Sequence, residues 1–188
     1  SRLGKYFTKI SVKQQKVEQS RVKLIFLIEE GELIKVKNIN FVGNKFYSDN
    51  ELRRVILSKE SSFFRIFGGS LFKSENAEID KSKLITFYRQ RGFIDFKVLS
   101  YGTDLLPDYS GFNINIILSE GKRYKINKIK LINNLSDLKV NSIINELKLQ
   151  SGDFYDSRAI ESSKNYLNDF FGIKGYSFVE INTKILTQ

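Results

Sequence analysis

Residues 112–131 read FNINIILSEGKRYKINKIKL, and residues 22–41 read VKLIFLIEEGELIKVKNINF. In both stretches every second residue before a Glu-Gly pair is apolar, and after the pair this period resumes and changes phase once. A two-residue period is typical of a β-strand with one buried face. Because the same strand-turn-strand pattern occurs twice, at a spacing of 90 residues, we infer that the chain is built from repeated modules. The aligned residues are Val22, Leu24, Phe26 and Ile28 with Phe112, Ile114, Ile116 and Leu118; Glu30 and Gly31 with Glu120 and Gly121; and Val36, Ile39 and Phe41 with Ile126, Ile129 and Leu131.

A second landmark, a glycine followed closely by an aromatic residue, occurs at Gly4-Lys5-Tyr6, at Gly92-Phe93 and at Gly175-Tyr176. Glycine suits the C-terminal end of a helix, and an aromatic residue suits the start of a strand. Apolar residues with helical spacing precede two of these glycines, as expected for helices that bury one face. These residues are Leu84, Phe87 and Tyr88 before Gly92, and Leu167, Phe170 and Phe171 before Gly175.

The order of these signals predicts β-α-α-β-β modules in an α+β chain. We expect residues 1–30 to be the C-terminal hairpin of a leading module, residues 31–119 a complete module, and residues 120–188 a following module without its last strand. In the complete module we predict a strand at Lys35–Val42, a helix capped by Ser48 or Asp49, a helix at about Glu78–Arg91, a strand from Phe93 to about Thr103 and a strand at Phe112–Ser119. In the following module we predict strands at Tyr124–Ile132 and Tyr176–Ile185, with helices near Leu138–Leu147 and at Ser157–Phe171.

Composition argues against catalysis, because the chain has no Cys and no His. Cysteine nucleophiles, thiolate metal sites, and the commonest general base and metal ligand are therefore excluded. No phosphate-binding glycine motif and no nucleophile elbow occurs, and among the 21 Asp and Glu residues no acid-base pair stands out. We therefore predict that the chain is not an enzyme and has no catalytic, cofactor-binding or metal-binding residues.

The net charge of +10 would suit an acidic partner such as a nucleic acid. Lys and Arg residues are spread singly along the whole sequence, however, and mostly alternate with apolar residues. That distribution favours the solvent-facing sides of strands over a nucleic-acid groove. A basic nucleic-acid-binding module stays the less favoured alternative, and it predicts an affinity for DNA or RNA that falls steeply with salt.

A run of aromatic residues lies between the two predicted helices of the complete module. The spacing from Gly31 to Gly92 exceeds that from Gly121 to Gly175 by seven residues, and the excess falls near residues 61–69. Two interpretations stay open. The rings fold back over the module core, or they form an exposed partner-binding patch, which is rarer on soluble domains. The residues of this candidate patch are Phe63, Phe64, Ile66 and Phe67.

In this order, the motifs Phe41-Val42-Gly43-Asn44, Tyr88-Arg89-Gln90-Arg91-Gly92-Phe93 and Ser119-Glu120-Gly121 resemble the POTRA module. The tandem arrangement is similar to POTRA modules of BamA-type outer-membrane β-barrel assembly proteins, with residues 1–30, 31–119 and 120–188 corresponding to part of the second module, the third and most of the fourth. Two departures affect turn geometry: Asn133-Asn134 stands in place of Gly-Asn, and Gly172-Ile173-Lys174-Gly175 departs from the Tyr-x-x-x-Gly pattern.

The resemblance implies three-stranded mixed sheets, each packed on two helices, at the periplasmic face of the outer membrane of a Gram-negative bacterium. The implied partners are outer-membrane β-barrel client polypeptides, assembly lipoproteins and a membrane barrel of the same protein. The arm of a related secretion barrel, for two-partner secretion or autotransporter assembly, is an alternative. Because a two-stranded hairpin is marginally stable alone, we expect residues 1–30 either to be disordered or to pair with a neighbouring chain, which would be self-association.

The binding site implied by the resemblance is the strand after the second helix, which lies at a sheet edge. An edge strand has unpaired backbone groups that accept a further strand from a partner. Alternatively, a neighbouring module or lipoprotein covers this edge. We expect Gly102 to mark a bulge that limits pairing. The predicted edge residues are Phe93, Asp95, Phe96, Lys97, Val98, Leu99, Ser100 and Tyr101.

Overall fold

The structure of the chain is a computed structural model that describes residues 8–17, 21–29, 34–61, 71–132, 140–176 and 179–186. The first Glu-Gly pair, the candidate patch at Phe63, Phe64, Ile66 and Phe67, and Asn133-Asn134 lie outside these residues. Within them, no helix is both long and apolar enough to cross a membrane. The elements are β1 (Lys9–Val17), β2 (Arg21–Glu29), β3 (Lys35–Val42), α1 (Asp49–Val55), α2 (Asn76–Arg89), β4 (Lys97–Leu105), β5 (Gly111–Ser119), a 3₁₀ helix (Val140–Glu146) and α3 (Ser157–Ile173).

The chain divides into a first unit, within residues 1–84 and 97–119, and a second unit, within residues 85–96 and 120–188. The first unit contains a three-stranded mixed sheet in the order β3-β5-β4. β5 is central and pairs in parallel with β3 and antiparallel with β4. This mixed α+β architecture confirms the predicted fold class.

A bulge in β3 accounts for the change of phase seen in the sequence. The register with β5 shifts between Val36 and Asn38, so that Val36, Ile39 and Phe41 are all buried although their spacing is uneven. Such a bulge places two residues of one strand opposite one residue of the other. The predicted strand at Lys35–Val42 is confirmed to the residue.

The turn after β3 shows why the sequence has Gly-Asn there. Gly43 has a φ of +95°, and a Cβ atom at this position would collide with the carbonyl oxygen of Leu118. Only glycine adopts this backbone conformation without strain and leaves that space free. The following helix α1 begins with a capping box, in which Ser48 accepts a hydrogen bond from the Glu51 N–H and Glu51 accepts one from the Ser48 N–H.

The antiparallel hairpin β1-β2 exposes one apolar face. Its register pairs Ile10 with Ile28 and Val12 with Phe26. Large exposed apolar patches are uncommon on soluble proteins, so a face of this kind is suited to contact with other polypeptide. The exposed apolar residues on this face are Ile10, Val12, Val22, Leu24, Phe26 and Ile28.

The second unit has a helical core but no sheet among its described residues. Ile143, Leu147, Leu167 and Phe171 form a buried cluster from the 3₁₀ helix, the residue after it and α3. The strands predicted at Tyr124–Ile132 and Tyr176–Ile185 are not formed among the described residues, which exclude 177 and 178; the ladder contact described there is an isolated bridge between Lys125 and Phe154. In the first unit β5 pairs with both flanking strands, and the described part of the second unit contains no counterpart of β5.

Candidate polypeptide-binding edge

The two edges of the β3-β5-β4 sheet differ in what covers them. The outer edge of β3 is occupied at its start, where the Phe72 N–H donates to the Ile34 carbonyl at 3.0 Å and the Ser61 N–H donates to the Val36 carbonyl at 2.8 Å. An isolated antiparallel bridge between Lys35 and Leu71 lies beside them. These contacts close the first half of the β3 edge to any further strand.

Side chains occupy the middle of the same edge. The Ile39 N–H donates to Glu60 Oε1 at 2.8 Å, and the Ile39 carbonyl accepts from Arg53 Nε and Nη2 at 3.1 and 2.8 Å. Arg53 and Glu60 also form an ion pair at 3.1 Å. Because both outward backbone groups of Ile39 already have charged partners, a new strand would have to displace that pair.

The outer edge of β4 is open. β5 pairs with β4 on one side, and no backbone hydrogen bond reaches the other side from the residues that the structure describes. The Leu106 N–H donates to the Gly111 carbonyl at 2.9 Å, which sets the phase of the antiparallel ladder. Hydrogen-bonded and non-hydrogen-bonded pairs alternate along such a ladder. The outward N–H and C=O groups therefore belong to Tyr101, Thr103 and Leu105.

The bulge in β4 lies at Leu99 and not at Gly102. The register with β5 shifts between Val98 and Ser100, whereas Gly102 pairs in register with Asn115. The expectation of a bulge at Gly102 is therefore wrong. Leu99 is 61% exposed. The regular ladder runs from Ser100 to Leu105, and this is the stretch on which a further strand can pair without interruption.

The predicted edge residues fall into two groups. Phe93 and Phe96 are buried and lie in the turn before the strand, and the Asp95 carboxylate accepts from the Tyr124 hydroxyl at 2.6 Å. The strand itself begins at Lys97, four residues later than predicted, and ends at Leu105. The residues within β4 are thus Lys97, Val98, Leu99, Ser100 and Tyr101, to which the structure adds Gly102, Thr103, Asp104 and Leu105.

A buried carboxylate fixes β4 from the inner face of the sheet. Asp80 of α2 is fully buried and accepts hydrogen bonds from the backbone N–H groups of Leu57 and Ser58 at 2.7 and 3.2 Å. Its other oxygen accepts from the Tyr101 hydroxyl at 2.9 Å. Burial raises the pKa of Tyr101, and the neighbouring Asp80 charge adds to the rise. The network holds the edge strand to α2 and to the segment after α1.

Sequence reasoning did not identify Asp80. A signal for it existed, because Asp80 lies at four-residue intervals from Leu84 and Tyr88 along the buried stripe of α2. An acidic residue on a buried helix face needs hydrogen-bond donors to offset its desolvation. The spacing predicts that partners exist, but it does not indicate that one of them is on β4.

The Glu-Gly turn and the Tyr-x-x-x-Gly-Phe segment meet in the second unit. The buried Tyr88 hydroxyl donates to the buried carboxylate of Glu120 at 2.8 Å. The Tyr124 N–H donates to the Gly92 carbonyl at 2.8 Å, and Arg123 Nε donates to the Arg91 carbonyl at 2.8 Å. The two sequence landmarks are therefore parts of one structural contact.

The sequence matches one protein family and is similar to several curated proteins. Residues 34–121 and 124–188 match the POTRA family, described as surface antigen variable number repeat. An outer membrane protein assembly factor BamA from Neorickettsia risticii (strain Illinois) is 25% identical over 175 residues, covering 93% of this chain and 23% of that protein. BamA from Buchnera aphidicola subsp. Acyrthosiphon pisum (strain APS) is 27% identical over 172 residues, covering 91% of this chain and 27% of that protein. The chain thus spans about a quarter of the length of these curated relatives.

Two solved structures share the fold. The crystal structure of Haemophilus influenzae BamA POTRA3-5 has a TM-score of 0.52 and 16% identity, covering 89% of this chain and 63% of that one. BamA from Haemophilus ducreyi lacking POTRA domains 1-3 has a TM-score of 0.54 and 22% identity, covering 72% of this chain and 24% of that one. The similarity supports the predicted three-stranded mixed sheet with helices.

Proposed function

Because this chain belongs to the POTRA family, we propose that it is a non-catalytic, polypeptide-binding scaffold of an outer-membrane β-barrel assembly machinery, on the periplasmic side of that membrane. The relatives named as BamA are outer membrane protein assembly factors, which supports this role for the longer protein to which such modules belong. The proposed partners are assembly lipoproteins, β-barrel clients, or both.

The difference between the two sheet edges carries the proposal. At the β3 edge the outward backbone groups of Ile34, Val36 and Ile39 are occupied by residues 61 and 72 and by Arg53 and Glu60, while no backbone group of the described residues bonds to the outer edge of β4 along Tyr101–Leu105. An open edge accepts an extended segment through main-chain hydrogen bonds, which depend weakly on the partner's sequence. Clients of a β-barrel assembly machinery are rich in extended strands, and this mode of binding suits many different sequences.

The exposed apolar face of the β1-β2 hairpin is a second proposed contact surface. Its residues include Val12 and Phe26, which pair across the two strands. We propose that this face associates with a second copy of the chain when nothing else covers it. Analytical ultracentrifugation tests this, and we expect the wild type to self-associate and the Phe26→Lys variant to do so less. If both proteins are monomeric at all concentrations, the proposal is wrong.

The open edge is tested by removing one outward N–H. In the Thr103→Pro variant the strand loses a donor that faces away from β5, so the ladder within the sheet is kept. We expect binding of an unfolded outer-membrane barrel protein, measured by fluorescence anisotropy, to weaken by about tenfold or more. The reason is that a strand docked at this edge makes three or more hydrogen bonds, and the proline hinders that docking.

Thr103→Val is the matched control, because it changes the side chain and keeps the N–H. We expect this variant to bind like the wild type. Circular dichroism and thermal unfolding establish that both variants are folded. If a folded Thr103→Pro variant binds as tightly as Thr103→Val, then polypeptide binding does not take place at the β4 edge.

A further inference from the structure

On the solvent-facing side of the sheet, the side chains at one end of the strands are polar and those at the other end are apolar, and both groups extend to β4 at the open edge. At one end a polar ladder crosses the three strands, with Asn40 Nδ2 donating to Asn115 at 2.9 Å and Asn115 Nδ2 donating to Asp104 at 2.7 Å. At the other end an apolar row crosses them through exposed aliphatic side chains. The polar ladder comprises Asn38, Asn40, Asn113, Asn115 and Asp104, and the apolar row comprises Val42, Ile117 and Leu99.

Asp104 ends the polar ladder at the open edge. It is exposed, and its Oδ2 atom accepts from Asn115 across β5. Opposite charges on facing positions of neighbouring strands stabilise their pairing, and like charges oppose it. A strand added here would therefore gain most from Lys or Arg opposite Asp104.

Gly102 leaves a gap in the middle of the edge strand. A Cβ atom added at Gly102 would have only the Asn115 carbonyl oxygen near it, at 3.9 Å. The glycine therefore leaves open surface between the side chains of Ser100 and Asp104, and pairs directly with Asn115. An aromatic ring on a neighbouring strand packs well over an edge glycine and shields its backbone from water.

Leu99 ends the apolar row at the same edge. Leu99, Ile117 and Val42 are 61%, 41% and 58% exposed, respectively, and Val42 pairs with Ile117 in the register of the sheet. The bulge places Leu99 beside Ser100, which pairs with Ile117. An aliphatic residue on an added strand would extend this row by one position and remove part of its apolar surface from water.

From this arrangement we propose that the β4 edge selects antiparallel strands that present a cationic, an aromatic and an aliphatic side chain at alternate positions. Read from the N-terminus of the partner, these face Asp104, Gly102 and the Leu99–Ser100 bulge. Antiparallel pairing through Tyr101, Thr103 and Leu105 leaves Gly102 and Asp104 in non-hydrogen-bonded pairs, where facing side chains come closest. The inference rests on the proposed function and gives that binding a side-chain preference.

A set of capped nine-residue peptides tests the preference. The first has Lys, Tyr and Val at its third, fifth and seventh positions, with Thr or Ser elsewhere. The second has the same three residues in reverse order, the third has Glu in place of Lys, and the fourth has Ala in place of Tyr. Binding is followed from the backbone amide chemical shifts of β4 in the whole chain. We expect the first peptide to bind most tightly. Each position at which another peptide differs from it should weaken binding by about two- to fivefold.

Two variants of the chain assign the preference to its residues. Asp104→Lys is expected to reverse the charge preference, so that the Glu peptide becomes the tighter ligand. Gly102→Thr fills the gap without backbone strain, because Gly102 has no positive φ and a Cβ fits there. It is expected to remove the advantage of Tyr over Ala at the fifth position. Thermal unfolding checks that both variants keep their fold. If Gly102→Thr does not fold, the Asp104→Lys variant still tests the charge preference by itself.

The outcomes separate this inference from the function on which it rests. If all peptides bind equally and Thr103→Pro abolishes their binding, the edge binds polypeptides without the proposed preference, and the inference is wrong. The same holds if Asp104→Lys leaves the charge preference unchanged. If the peptides bind equally well to Thr103→Pro, or do not shift the β4 amides at all, then the edge itself is not a binding site.

Discussion

The helix end at Tyr88–Phe93 and the helix end at Phe171–Tyr176 have the same backbone geometry. In each, the N–H of the aromatic residue after glycine donates to a carbonyl five residues earlier, at 3.2 Å for Phe93 and 3.0 Å for Tyr176. Both glycines have positive φ, and both ends have an edge-to-face ring contact, with centroids 5.4 and 6.1 Å apart. This bond and the left-handed glycine define a Schellman end.

The two ends differ in what packs on them. At the first, a Cβ atom on Gly92 would lie 2.7 Å from Arg123 Cγ, and the Tyr88 hydroxyl bonds to Glu120. At the second, a Cβ on Gly175 would have no atom of the described residues within 4 Å, and Phe171 has no hydroxyl. The local sequence is enough to form the helix end, while the neighbouring segment decides how firmly that end is held.

The largest effect is expected from replacing the two glycines with alanine. Gly175→Ala adds only backbone strain at a φ of +87° and should lower the free energy of unfolding by about 1–2 kcal/mol. Gly92→Ala adds the same strain at +103° and also forces Arg123 away, so we expect a loss of about 3 kcal/mol or more. Urea unfolding of both variants measures the difference.

An Arg123→Ala background provides the control for this pair. In that background the cost of Gly92→Ala should fall to that of Gly175→Ala, because the atom that the new Cβ meets is gone. Equal losses for the two glycine variants in the wild-type background would mean that packing of Arg123 on Gly92 contributes nothing to stability.

A smaller effect is expected from exchanging the two aromatic residues. Tyr88→Phe makes the first helix end resemble the second and removes a hydrogen bond to a buried carboxylate, so the free energy of unfolding should fall by about 1–3 kcal/mol. Phe171→Tyr should give no gain, since no carboxylate is placed to accept from it in the described part of the second unit. A gain for Phe171→Tyr equal to the loss for Tyr88→Phe would show that the hydroxyl acts without Glu120.

Local patterns predicted those parts of the fold that local chemistry determines. The period in residues 35–42 predicted the strand, and its change of phase falls where the structure has the bulge; the Gly-Asn and Gly-aromatic pairs predicted the turn at Gly43 and the two helix ends. The same kind of pattern failed at Tyr124–Ile132, where alternation is present and the strand is not. Alternation reports that one face is buried, but a strand also needs a paired neighbour.

The contacts that occupy the β3 edge and that hold the first helix end could not be predicted, because they join residues far apart in the sequence. Glu60 bonds to the backbone of Ile39 from 21 residues away, and Tyr88 bonds to Glu120 from 32 residues away. Each of these polar residues has many alternative partners in a sequence. The identity of the edge strand was predicted from the module type, but its open stretch at Tyr101–Leu105 required the ladder register.

The smallest effect is expected from the cation that precedes each glycine. Arg91 Cζ lies 3.8 Å from the centroid of the Phe87 ring, and its Nη1 donates to the Phe87 carbonyl at 2.9 Å, whereas Lys174 Nζ lies 5.1 Å from the Phe170 ring. A guanidinium stacks on a ring and donates in fixed directions, which an ammonium does not do. Arg91→Lys should therefore lower the free energy of unfolding by about 0.5–1 kcal/mol, and Lys174→Arg should raise it by less. Differential scanning calorimetry of the two single variants measures both shifts. If Arg91→Lys is neutral, the two cation-ring contacts are equivalent, and the firmer hold on the first helix end comes from Arg123 and the Tyr88–Glu120 bond.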